Sequence, residues 1–344
     1  SFTFGLMIIK TINMSPALCG TTEVFIPKTI EVLSGSCVTI PCSFDVETRY
    51  ESDVGGTCRA LWKSDKQTVV FNSSNPKSST IQGELKGDLT RKDCSTTLNN
   101  MRPEHSKEYF LRVQCNNFRH SFLNHKLHIA VTDVPPAPTL TPSTLKVEEG
   151  TSVSLKCSAP APCLSHSPAL TWSSSLGHIQ ESLQENQDRT KVQTSVLTFT
   201  ASHLHHGKEI SCTAVYNKQD GSSQSASTSL TADISYTAAK VSCSKTSASG
   251  PVPEDTDVTL TCSSAANPAV KNYTWYRADR NSGPFFCEAE NAIGSGRFNI
   301  SQIDVHCKYH KWSLVSDVNC HLDLSPFVHQ LLKERKKVRK KLMT

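Results

Sequence analysis

Fourteen cysteines in a chain of 344 residues, two groups of them set at fixed distances from a tryptophan, limit what this sequence can fold into. None stands in a CxxC knuckle, so disulfide chemistry in an oxidising, secretory compartment suits them better than zinc or a cytosolic redox role. Four Asn-x-Ser/Thr sequons, at Asn13, Asn72, Asn272 and Asn299, agree with that compartment.

The spacing carries the fold. Cys42 precedes Trp62 by twenty residues, and Cys157, Trp172 and Cys212 follow one another at fifteen and forty. A cysteine on the second strand, a tryptophan on the third and a cysteine on the sixth mark the immunoglobulin-like β-sandwich. Short alternating segments such as Ser152–Lys156, Val192–Thr198 and Ile210–Val215 read as strands. The fold class is therefore all-β, in tandem sandwiches. A variable-type domain is expected over 21–133 and a constant-type domain over 139–233, with linkers at Val134–Pro138 and 232–239.

A third domain, 238–296, begins as the others do. Val258–Cys262 reads as its second strand, Tyr273–Tyr276 as its third and Phe286–Gly294 as its sixth with the exit turn. Only twelve residues separate Trp275 from Cys287. The missing strands would need roughly three times that, at ~5–6 residues per strand plus turns. The third domain is expected to be incomplete, with an unclosed core, and 297–344 to be an irregular or helical basic tail. Residues 325–342 are read as a basic amphipathic helix or a solvated charge run. The net charge of +5 is local: seven Lys/Arg and one Glu at 333–341 carry +6 and leave −1 elsewhere. No general basic field for nucleic acid exists. Residues 1–20 suggest a clipped leader, and no run of eighteen apolar residues is present. The expectation is an ectodomain, a splice form or an incomplete chain.

Strand alternation orders the cysteines. Cys37 lies five residues before Cys42, so if Cys42 points inward Cys37 points outward. Cys163, in the Pro-rich loop of the second domain, is its natural partner, and Cys37–Cys163 would lock the two domains. If Trp62 faces Leu111 across antiparallel strands, paired numbers sum to 173 and Cys58 falls opposite Cys115. Cys157–Cys212 and Cys262–Cys287 complete the ordinary pairs. Cys19, Cys243, Cys307 and Cys320 receive no partner.

The stretch Tyr109-Phe110-Leu111-Arg112-Val113 reads as a sixth strand, yet its cysteine position holds Leu111. A cysteine appears instead at Cys94, where the fifth strand should be. Lost cysteine, relocated cysteine, outward Cys37 and outward Arg112 together resemble the Siglecs, the sialic-acid-binding immunoglobulin-like lectins. Val258–Tyr276 is also especially like one branch of that family. The resemblance covers about residues 21–296 and implies a Cys42–Cys94 bridge within one sheet. It implies that Arg112 binds the carboxylate of sialic acid, for which a planar, permanently charged guanidinium is suited. Aromatic contacts to the rest of the sugar would come from Phe25, Phe118 and Phe122, and glycosylation from Asn72, Asn272 and Asn299.

The implied function is a cell-surface recognition receptor whose partners are sialylated glycoproteins or glycolipids. Membrane anchoring is expected only in a full-length parent, and secretion if the chain is complete. The alternatives are a protein-binding adhesion receptor and a secreted decoy. No cofactor is expected. His203, His205 and His206 lack further residues at metal-ligand spacing, and no nucleophile elbow or phosphate loop occurs, so neither a metal site nor an enzyme is expected. Tyr309 does not sit in a signalling motif.

Overall fold

The structure, a computed structural model, describes residues 21–246, 252–253, 259–277, 285–299 and 305–306. The described residues form two compact units. The first holds the residues up to Leu145 with Ser152–Phe199 and Lys208–Thr231; the second holds Lys146–Thr151, Thr200–Gly207 and those from Ala232 onward.

The first sandwich contains β1 (Glu23–Phe25), β2 (Thr29–Leu33), β3 (Val38–Ile40), β4 (Ser43–Asp45), β5 (Arg59–Ser64), β6 (Val69–Asn72), β7 (Gly83–Leu85), β8 (Thr96–Leu98), β9 (Lys107–Gln114), β10 (Arg119–Ser121) and β11 (Leu127–Thr132). One sheet runs β2-β11-β9-β5-β6, with β10 added to β9, and faces β3-β8-β7 and the β1-β4 ribbon. Alternation along β9 drives the packing: Tyr109, Leu111 and Val113 enter the core with Trp62, Ile40, Leu98 and Met101. Trp62 is the register partner of Leu111, as the sum of 173 requires, so a leucine fills the place of the sixth-strand cysteine. Tyr109 donates its hydroxyl to the His105 carbonyl at 2.7 Å and ties the start of β9 to the preceding turn.

The second sandwich follows as β12 (Thr139–Thr141), β13 (Leu145–Glu148), β14 (Ser152–Pro160), β15 (Ala169–Trp172), β16 (His178–Glu185), β17 (Lys191–Thr200), β18 (Glu209–Asn217) and β19 (Ser223–Thr246). The sheets are β12-β14-β17-β16 and β13-β19-β18-β15. Cys157 and Cys212 join them, with their Cα atoms 6.5 Å apart. Leu155, Leu197 and Ile210 are fully buried between them. Trp172 donates its indole N–H to Ser195 Oγ at 3.0 Å, so a buried hydroxyl meets the polar edge of an otherwise apolar ring.

The expected linker at 232–239 is instead the middle of β19, a strand of 24 residues. The stretch Ala-Asp-Ile-Ser-Tyr-Thr-Ala-Ala holds no Pro or Gly to break pairing, and Ile234 and Ala238 alternate into the interior. In the second unit β19 continues against β21 (Thr259–Asn267), placed after β20 (Val252–Pro253). A three-stranded sheet of β22 (Asn272–Arg277), β23 (Phe285–Glu290) and β24 (Ser295–Asn299) and the short β25 (Val305–His306) complete the described strands. Third and sixth strands are neighbours in such a sheet, so Trp275 pairs directly with Cys287 despite the short interval. Cys262 bonds Cys287, and Ala238, Val241 and Ala289 pack around them while Trp275 stays only partly buried. A small core therefore exists where none was expected to close. Cys243 lies opposite Cys262 in the backbone register. The leader, Asn13, Cys19, Cys307, Cys320, Tyr309 and the 325–342 segment lie outside the described residues.

Candidate functional site: the outward face of β9

Strand alternation turns Arg112 outward between the buried Leu111 and Val113. It stands between Leu61 of β5 and Ser121 of β10, its two register partners. Its Nη1 donates to Ser121 Oγ at 2.8 Å. Arg49, Arg102 and Arg297 each pair with a carboxylate, whereas among the described residues none pairs with Arg112. A guanidinium offers five N–H donors, and this one has a fixed position and no fixed anion. Leu61 and Phe110, on the same side of the sheet, are nearly buried. The Lys63 ammonium lies 6.0 Å from the centre of the Phe110 ring. The result is a shallow, cationic strip over an apolar floor.

Two residues at this site escape a reading by strand alternation alone. Ser121 reaches Arg112 because the turn at Asn116-Asn117 brings β10 back against β9, pairing Arg119 with Gln114. His120, next to Ser121, lies between Phe118, stacked at 6.3 Å, and Phe122, edge-on at 4.7 Å. Burial holds the His120 imidazole below its ordinary range, Arg112 adds to that, and Glu47 opposes it. The sequence signal for both was the paired asparagine after Cys115, a tight-turn signature that fixes the return register.

The structure does not offer Phe118 and Phe122 as sugar-stacking surfaces. Each is only 3% exposed and belongs to the core of the first sandwich. Phe118 packs on Tyr50 and Phe122 on Phe44. A return strand that closes over the sandwich must bury one face, and these phenylalanines supply it. Phe25 differs, at 48% exposed on β1, which among the described residues pairs only with β4. Asn72 shares the register of Leu61 from the other side, so it lies two strands from Arg112 on the same face. Its Oδ1 accepts from both the amide and the hydroxyl of Ser74, the sequon's own serine. Asn272 is exposed on β22, and Asn299 ends β24.

The cysteines frame this face. Cys42 bonds Cys94, and the Cys94 amide donates to the Cys42 carbonyl at 3.0 Å, so that bridge stays within one sheet. Cys58 bonds Cys115 where β5 begins and β9 ends, within the other sheet. The two sheets of the first sandwich are thus held together by packing. Cys37 bonds Cys163 of the second sandwich. His166 lies close to that pair, but sulfurs joined to each other are not thiolate ligands for a metal. His203 meets Glu149 at 2.7 Å, an ordinary partnered histidine.

No family model matches the chain. It is 27% identical over 229 residues to the mouse myelin-associated glycoprotein, covering 60% of this chain and 34% of that one. It is 23% identical over 315 residues to human sialic acid-binding Ig-like lectin 9, covering 78% of this chain and 65% of that one. The chain thus spans about a third to two thirds of the length of these curated relatives. Among solved structures it is similar to the full ectodomain of mouse nectin-like molecule 4, at 19% identity and a TM-score of 0.41, covering 83% of this chain and 100% of that one. Further sialic acid-binding Ig-like lectins match up to 82% of its length, and these relatives together support membership of the Siglec family.

Proposed function

We propose that the first sandwich binds terminal sialic acid on glycoproteins or glycolipids, with Arg112 donating paired hydrogen bonds to the sugar's carboxylate. The observation that carries this reading is an outward strand arginine, steadied by Ser121, without a carboxylate partner among the described residues. The ligand anion supplies the missing charge, and the fork geometry favours a carboxylate over a chloride or a lone carbonyl. Phe25 supplies an exposed aromatic face. Glycans on Asn72 and Asn272 fit a protein displayed on the outer surface of a cell. The chain acts as a binding protein, not an enzyme. One sugar on a shallow face binds weakly, so adhesion depends on clustering. Among the described residues no helix is long and apolar enough to cross a membrane.

The test presents the clustered chain to sialylated cells before and after sialidase, beside Arg112→Ala. Binding that vanishes in both arms supports the lectin reading. Binding that ignores sialidase assigns the face to a protein ligand instead, since a protein interface usually survives loss of one rim arginine.

A further inference from the structure

Arg112 shares its face with two further arginines. Residues directly opposed on antiparallel strands point to the same side of a sheet. Gln114, two residues beyond Arg112 on β9, pairs with Arg59 of β5 on one side and with Arg119 of β10 on the other. Each of these arginines stands one strand from Gln114, about 4.8 Å, and the row lies about 7 Å along β9 from Arg112. Three guanidiniums thus surround one glutamine on the outward face.

The row is fixed from several directions. Cys58 precedes Arg59 and Cys115 follows Gln114, so the Cys58–Cys115 bridge closes the row at one end. The Cys115 amide donates to the Phe118 carbonyl at 2.8 Å and starts the return of β10. Phe118 is buried, which turns its neighbour Arg119 outward.

This part of the face carries cations without acids. Opposite Phe110–Gln114, the outward positions of β5 and β10 add Arg59, Lys63 and Arg119 to Arg112, and no carboxylate. Glu108, further back on β9, accepts from Lys126 at 2.8 Å, and Asp53 accepts from Asn117 at 3.0 Å. Glu47 pairs with Arg49 at 2.7 Å. Among the described residues no carboxylate pairs with Arg59 or Arg119. Like charges gathered in this way repel one another, and bound anions relieve that repulsion. The fork of Arg112 is filled by one carboxylate, which leaves Arg59, Arg119 and the Gln114 amide as donors for another anion.

We propose that Arg59 and Arg119, on either side of Gln114, form a second anion subsite. It selects glycans that carry a further negative group beside the carboxylate on Arg112, either a sulfate ester or the carboxylate of a second sialic acid. Its place in glycan recognition rests on the sialic-acid reading, whereas its charge rests on the strand register alone.

The experiment titrates the clustered full chain with polymers bearing sialyllactose, sulfated sialyllactose, disialyllactose, or sulfated lactose without sialic acid. Wild type should bind a doubly anionic probe roughly three- to tenfold more tightly than sialyllactose, the range of one charged hydrogen bond weakened by salt. The probe that gains identifies the second anion. Arg59→Gln/Arg119→Gln should lose that gain and bind sialyllactose as wild type does. Arg119→Gln alone, at an exposed position, should lose part of it with an unchanged melting temperature. Arg91→Gln/Arg102→Gln removes the same charge away from these strands and should keep the gain. The subsite is overturned if neither doubly anionic probe gains, if both double variants lose the gain equally, or if Arg59→Gln/Arg119→Gln keeps it. A matching loss on plain sialyllactose also overturns it, since the arginines would then serve the first anion. If sulfated lactose binds wild type but not Arg59→Gln/Arg119→Gln, and sialic acid adds nothing, the subsite stands and the sialic-acid reading falls.

Discussion

Arg112 and Ser121 are antiparallel partners on β9 and β10, and the guanidinium donates to the hydroxyl at 2.8 Å. That bond commits one donor to holding the fork still and leaves the outward side for an anion. Removing the fork should cost more than removing the brace. Arg112→Ala should weaken binding to a sialylated polymer roughly ten- to a hundredfold, as loss of charged hydrogen bonds of about 1.5–3 kcal/mol predicts. Arg112→Lys should recover little, since an ammonium cannot match the bidentate geometry. Ser121→Ala should cost a few-fold, about 0.5–1 kcal/mol. Titration of all three against the same polymer checks the order.

His120 is expected to make binding sensitive to acid. Burial and the Arg112 charge hold its imidazole below the ordinary histidine range. In the free protein this lowered value means that stability present at neutral pH is lost as pH falls from about 6.5 through the folded value. A bound carboxylate offsets Arg112 and makes the imidazole easier to protonate, so proton and ligand favour each other. Affinity should rise about two- to fivefold from pH 7.5 to 5.5, and His120→Gln should flatten the profile. A flat wild-type profile would rule the coupling out.

Phe118 and Phe122 should behave as core residues. Phe118→Ala is expected to lower stability by about 3–5 kcal/mol, the cost of truncating a buried aromatic. Phe25→Ala should leave the melting temperature nearly unchanged and weaken binding. Thermal unfolding beside ligand titration separates the two kinds of phenylalanine.

Cys58–Cys115 ties the start of β5 to the end of β9 just before the turn that returns β10. Replacing both cysteines by serine should cost about 2–4 kcal/mol. Ligand affinity should fall as well, because the turn that positions Ser121 loses its anchor. Calorimetry and binding on the same sample check both effects.

Asn72 and Arg112 flank Leu61 on one face. Asn72→Gln should remove one glycan by intact mass and increase binding of a bulky sialylated polymer more than that of free sialyllactose. Equal changes for both ligands would argue against steric crowding by the glycan.

The all-β, tandem-sandwich architecture was legible because its determinants are local. Period-two alternation puts Tyr109, Leu111 and Val113 on one face and Arg112 on the other, and Cys–Trp spacing sets the strands that carry them. Alternation assigns a face, but it does not say whether a second layer covers that face. Phe118 and Phe122 could not be told from exposed platforms until the path of β10 over the core was known. The 232–239 segment reads like a linker by composition, yet its pairing with distant strands makes it part of β19.

Sequence alone determined which residues could bear charge on the outer sheet, since side-chain direction along a strand is a property of the backbone. Only the tertiary structure decided what stands beside them: Ser121 against Arg112, His120 between two aromatic rings, and Arg189 on the Phe25 carbonyl. Those neighbours come from strand return and domain packing, where contacts join residues up to 164 positions apart. No local periodicity encodes a distance of that kind.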